Sequence, residues 1–253
     1  RLYFELGLQG ESAKLDRTRA DLLRALDGGG LRLAESLANL AGSLSAMGDT
    51  PGSEKAALEA IALYEAGGER TALKYAVALN TVGNALRYRD PGLALGKLRQ
   101  STAILAAHHP EALEHASALR TLAVILNEQG EPREAAAAIA KAIELYRRRA
   151  GENHRDIAFM HQISGLTHLL LQRPAQAAAD YGKAIEVDER ALGSASTARP
   201  IFEANLARAN ESGPHWRASR ERLEAVAAKL AAGPRGGVQQ FARTAGGGGQ
   251  DAG

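Results

Sequence analysis

The chain of 253 residues carries a net charge of +2, is 45% hydrophobic but only 4% aromatic, and contains no cysteine. The missing thiols exclude a disulfide framework and any cysteine-based metal site, and the small charge gives no ground for expecting nucleic acid as a partner. Alanine and leucine dominate, no apolar run approaches the roughly 18 residues of a membrane span, and residues 1–30 lack a leader-peptide pattern, so the expectation is a helical, cytoplasmic protein.

Taken in order, residues 1–30 read as a partial unit. Leu2-Tyr3-Phe4-Glu5-Leu6-Gly7 looks like the end of a helix, which suggests a fragment of something longer. The next helix is expected over residues 12–26, with Ser12 as N-cap and Leu15, Leu22, Leu23 and Leu26 facing one way. Asp27-Gly28-Gly29-Gly30 stops it. A helical hairpin follows over 31–68, turning at Met47–Gly52 and ending at Gly67-Gly68. A second, over 71–108, turns at Asp90-Pro91-Gly92. Its later helix is the poorest match, because Gly96 and Gln100 fall at core-type places, so it is expected to be the least stable.

The clearest unit lies at 110–150. Leu119, Leu122, Ala123 and Leu126 fall at i, i+3, i+4 and i+7. A polar run from Asn127 to Glu131 then breaks the stripe, Pro132 suits the first turn of a new helix, and Ala135, Ile139, Ala142, Ile143 and Tyr146 form the second stripe. A fourth pair covers 153–193, with Asn153 as N-cap candidate, Asp156 three residues on, and a turn at Gln172-Arg173-Pro174. The fifth, over 197–232, comprises segments near Pro200–Asn210 and His215–Ala232. Arg217, Arg220, Glu221, Arg222 and Glu224 make its last helix polar, as a terminal cap requires. The glycine-rich stretch 233–253 is expected to be a disordered tail.

These units repeat. Leu40, Val82, Leu122, Ser164 and Leu206 recur about 42 residues apart, each followed by a small residue: Ala41, Gly83, Ala123, Gly165 and Ala207. In the second helices Ala60, Ala103, Ala142, Ala184 and Ala225 recur at similar intervals. A hairpin this short cannot bury both apolar stripes alone, so a fixed period of this size signals stacked helical pairs. The pattern of Leu119, Leu122, Ala123, Leu126, Ala135, Ile139 and Ala142, matched again by Gly165, Ala177, Tyr181 and Ala184, resembles the tetratricopeptide repeat. That family's usual unit is about 34 residues. The extra length here, about one turn per helix, is similar to the kinesin-light-chain class of bacterial type. The resemblance implies an all-α fold, a right-handed α-solenoid of stacked antiparallel helix hairpins. It also implies a non-catalytic scaffold with a protein or peptide partner, no cofactor, and neither nucleic acid nor membrane. The alternative is a regulatory, sensor or oligomerisation arm of a larger signalling protein.

Catalytic motifs are missing: there is no GxSxG, P-loop or GxGxxG behind a strand. His154, His161 and His168 are spaced seven apart on one helix face. Seven residues span roughly 10.5 Å, too far for two rings to share an ion, so packing is the expected role. What remains is a surface. If each first helix lines the inside of the array, Asn80, Asn84, Arg87, Tyr88, Arg120, Asn127 and Gln162 present amides and cations there, with Phe159, Leu166 and Leu169 as an apolar pocket. Carboxamides pair with both main-chain groups of an extended peptide, and arginine pairs with carboxylates. These ten residues either form a peptide-binding groove or make up a solvated inner face.

Overall fold

The computed structural model describes residues 9–27, 30–193 and 196–211, and every regular element among them is helical. In chain order these are α1 (Gln9–Asp27), α2 (Leu31–Ala46), α3 (Thr50–Ala66), α4 (Leu73–Leu86), α5 (Pro91–His108), α6 (Leu113–Glu128), α7 (Pro132–Ala150), α8 (Arg155–Leu170), α9 (Pro174–Leu192) and α10 (Arg199–Asn210). The expectations for residues 1–8, for the helix at 215–232 and for the tail lie outside the described residues. The chain falls into two compact units, Arg1–Leu145 and Tyr146–Gly253. In the first, each helix from α1 to α6 packs on the next, and α4 also lies against α2 and α6, so these three first helices share a layer. In the second, α8, α9 and α10 pack on one another. Sequential packing of like hairpins is the architecture of an all-α helical-repeat solenoid.

Local chemistry explains where helices begin. Proline opens α5, α7 and α9 and is the second residue of α3, positions where its missing N–H has no helical partner to lose. The Asp49 and Asp90 carboxylates accept from the Gly52 and Leu93 N–H groups at 3.0 Å, capping α3 and α5. Before these starts the chain turns through the left-handed region, at Gly48 (φ 82°) and Gly130 (φ 76°). The corresponding residue between α8 and α9 is Gln172 at φ 58°, a conformation that a β-carbon disfavours.

The first-helix stripe is buried at four of the five places the period gives, Leu40, Val82, Leu122 and Ser164, while Leu206 is half-buried; the small residues beside them, Ala41, Gly83, Ala123, Gly165 and Ala207, are all covered. The glycines mark the tightest approaches. A Cβ on Gly83 would stand 2.7 Å from Leu98 Cγ, and one on Gly165 would stand 2.6 Å from Tyr181 Cε1. These helix pairs therefore lie closer than even alanine permits.

Five local expectations are corrected. In α1 only Leu23 turns inward, whereas Leu15, Leu22 and Leu26 are 54%, 58% and 78% exposed. The helix buries Ser12, Ala13, Ala20 and Leu23 instead. Ser12 is no cap, since α1 already runs from Gln9; it accepts from Ser43 Oγ at 3.0 Å. In α5 the core place expected for Ala103 belongs to Ser101 and Thr102: Ala103 is exposed, and Ser101 Oγ donates to the Ala76 carbonyl at 2.7 Å. Gly96 and Gln100 lie outside the core, which Ala94, Leu98 and Leu105 fill completely. Finally, the cap of α8 is His154 rather than Asn153, its Nδ1 accepting from the Asp156 N–H at 3.2 Å.

Polar contacts tie successive hairpins of the first unit together. Arg24 pairs with Glu59 at 2.7 Å between α1 and α3, Arg99 with Glu134 at 2.8 Å between α5 and α7, and Lys74 donates to Asn39 at 2.8 Å between α4 and α2. Arg89 pairs with Glu54. Exposed pairs of this kind contribute about 0–1 kcal/mol each, so they fix register more than they stabilise.

Three substitutions test this account. Gly96→Ala, in a helix interior with nothing within 4 Å of the new Cβ, should stabilise by about 0.5–1 kcal/mol. Gln172→Gly should gain a similar amount by relieving the left-handed strain. Gly165→Ala should destabilise by about 1–3 kcal/mol, because Tyr181 must move. Denaturant unfolding checks all three signs.

Candidate functional site

The expected groove residues fall in both units. Asn80 and Asn84 lie one turn apart on α4, while Arg120 and Asn127 lie on α6, two helices that pack side by side. Register across this pair is set by Arg87 at the end of α4, whose guanidinium makes a two-pronged ion pair with Glu128 at the end of α6. The same guanidinium stacks 4.8 Å over the Tyr88 ring, which is 73% exposed. An offset of 41 residues between α4 and α6 puts Asn80 level with Arg120 and Thr121.

The electrostatics here differ from a simple basic groove. Arg87 is already neutralised by Glu128, so it does not wait for a ligand carboxylate. Asn127 is only 6% exposed and offers its amide to the interior. Arg120, by contrast, is half-buried and has no ion-pair or hydrogen-bond partner among the described residues. Asn80 is also half-buried, and its Oδ1 is shielded from solvent without a hydrogen bond. A shielded acceptor left unmatched costs about 1–3 kcal/mol. Asn84, one turn further, is exposed. Sequence reasoning missed Glu128, although its spacing of one repeat from Arg87 was readable.

In the second unit, α8 carries Phe159, Gln162, Leu166 and Leu169, all half-buried. Phe159 meets Phe202 of α10 edge-on at 5.5 Å, and the Arg155 guanidinium lies 6.0 Å from its centre. Leu169 packs with Leu206 against Ala177, Tyr181 and Ala209, so much of its surface is spent on the core. The Gln162 carboxamide makes no hydrogen bond among the described residues.

The histidines are structural. His154 caps α8 and its ring lies 5.3 Å from Tyr146, whose hydroxyl donates to Asp156 at 2.9 Å. His161 and His168 share a carboxylate: their Nδ1–H groups donate to the two oxygens of Asp180 at 3.3 and 2.8 Å, and Ser164 Oγ donates to it at 2.7 Å. Burial alone would push the Asp180 carboxyl up, but the bonds from His161, Ser164 and His168 together hold it below the ordinary carboxylate range. The lone acid in the run Ala177-Ala178-Ala179-Asp180-Tyr181 was the signal that could have revealed this pairing. Among the described residues no cluster of three metal-ligating side chains occurs, and no helix is long and apolar enough to cross a membrane.

Comparison with known proteins bears on the fold. Models of the tetratricopeptide repeat match residues 114–190 and residues 33–66. No curated protein sequence matches the chain significantly. Among solved structures, BtubC (BKLC) from P. vanneervenii is similar with a TM-score of 0.66 at 15% identity, over 97% of this chain and 94% of that one. A putative kinesin light chain from Podosopora anserina with nearly identical TPR-like repeats gives 0.64 at 17%, over 79% and 96%. PilF of Pseudomonas aeruginosa gives 0.57 at 16%, over 86% and 78%. At such identities the likeness is one of fold.

The Asp180 cluster yields a stability test. Its carboxyl is depressed in the folded state relative to about 3.9 in an unfolded chain, so it contributes stability that is present above that value and lost as pH falls through the folded one. Asp180→Ala leaves three buried donors without an acceptor and should cost about 3 kcal/mol at neutral pH. In an acid titration followed by circular dichroism, the variant should lose less stability between pH 5 and 2 than the parent, the loss having already been incurred.

Proposed function

We propose that this chain, a tetratricopeptide-repeat protein with repeats of the kinesin-light-chain-like kind, is a non-catalytic scaffold that holds an extended segment of another protein along the inner faces of its first helices. The observation that carries the reading is a half-buried Arg120 on α6 with no counter-ion among the described residues, on a helix that packs against the one carrying Asn80 and Asn84. A carboxylate answers the guanidinium, and the carboxamide N–H groups of the two asparagines can donate to main-chain carbonyls. In the second unit Phe159, Gln162 and Leu166 offer a mixed apolar and amide surface of the kind that anchors side chains. The repeat array supports the same reading, because it multiplies one such face at a regular spacing instead of building a closed pocket.

Affinity capture with the full chain, followed by binding of the recovered segment as a synthetic peptide, tests this. Arg120→Glu should weaken binding by at least about tenfold, the scale of a charge-assisted contact, and Asn80→Ala should weaken it several-fold. Retention of full affinity by both variants would place the contact elsewhere.

A further inference from the structure

We infer that the exposed leucine stripe of α1 is an end-to-end contact between two copies of this chain, paired antiparallel about Leu15. α1 is the first described helix of the array and packs on α2. It gives one side to that packing: Ser12, Ala13, Ala20 and Leu23 are buried, and Arg24 reaches Glu59 of α3 at 2.7 Å. At about 100° per residue, Leu15 stands half a turn round the helix from Arg24, with Leu22 and Leu26 within about 20° of it. These are the leucines left 54%, 58% and 78% exposed. The stripe therefore looks off the end of the stack, away from α3. A stack of repeats is soluble alone when its end helix turns a polar face outward. Here three leucines share that face, rimmed by the exposed Glu11, Lys14 and Arg19, and an apolar face with a charged rim marks a contact.

The symmetry of the sequence selects the occupant. On the same side of the helix, Glu11 and Arg19 lie four residues before and after Leu15. Leu22 and Leu26, seven and eleven residues after it, are matched by Leu8 and Phe4, seven and eleven before it. Phe4 and Leu8 lie outside the described residues. A two-fold contact requires such a pattern, because residue i of one copy meets j of the other while j meets i. With the axis at Leu15, the two Leu15 side chains meet each other. Glu11 of each copy then stands level with Arg19 of the other, about 6 Å along the helix from the axis, so opposite charges meet twice. In a parallel pair Glu11 would face Glu11 and Arg19 would face Arg19. Within its own helix Glu11 pairs with Lys14 at 2.8 Å, both side chains exposed, an arrangement that a second copy's guanidinium can join.

Sedimentation velocity of the full chain over rising concentration should show a dimer. Leu15→Glu sets two carboxylates together on the axis and should raise the dissociation constant at least about a hundredfold. Its helical circular dichroism signal should be unchanged, because Leu15 is exposed in a single copy. Glu11→Arg and Arg19→Glu should each weaken the dimer about tenfold, since each sets like charge against like. Mixed one to one, these two variants should form a mixed dimer of about parental affinity, because each supplies the charge the other lacks. A chain that stays monomeric throughout, whether its own residues 1–8 or another protein occupies the leucines, overturns the inference. So does a dimer indifferent to Leu15→Glu. A dimer that Leu15→Glu breaks but that mixing the two charge variants does not restore overturns the antiparallel register.

Discussion

The structure depends on how closely the two helices of a hairpin approach. Wherever a first helix crosses its partner it places a residue with little or no side chain at the contact, and at Gly83 and Gly165 even a methyl group would collide with Leu98 or Tyr181. Large side chains of both helices pack around these contacts, so that Tyr75, Leu79, Leu98, Ile125 and Tyr181 are almost wholly enclosed. Fixing that crossing fixes which way the rest of each first helix points. Residues two before and two after the larger member of the pair, Asn80 and Asn84 on α4 and Arg120 and Val124 on α6, are left less covered.

The same tightness sets the terms for polar groups inside. Close-packed interiors leave little room for water, so each buried oxygen needs a protein partner. Ser101 finds the Ala76 carbonyl, Ser53 the Ala41 carbonyl at 2.8 Å, and Ser43 finds Ser12. Asp180 is the most demanding case, a buried carboxylate satisfied by three donors drawn from one neighbouring helix. Against this background Ser36 Oγ and Asn80 Oδ1 are shielded without a hydrogen-bond partner.

The repeat period made most of the architecture legible, since one small residue following one large one every 42 residues reflects a three-dimensional requirement and not a local propensity. The helix starts were equally readable where Asp and Pro adjoin, as at Asp90-Pro91. Burial within individual helices was less so. In α1 the leucines suggested the core face, yet alanines and a serine pack there, because contact with α2 is close enough to favour small residues and leaves Leu15, Leu22 and Leu26 outside. In α5 a regular alanine count pointed to Ala103, but a hydroxyl pair one and two residues earlier serves instead, its hydrogen bonds compensating for its polarity. The candidate inner-face residues come from register alone. What register could not give was the charge state of that face, because Arg87 and Glu128 come from different repeats and only packing shows that they meet.

That meeting changes the charge the face presents. Two unpaired arginines on adjacent helices would make a positive surface whose field reaches well into solvent. Pairing Arg87 with Glu128 removes most of that field and leaves Arg120 a half-buried cation with no partner among the described residues. The Arg87–Glu128 pair is partly exposed, so its contribution to stability is small. Its larger effect is on the potential of the α4–α6 surface, from which it removes one positive charge.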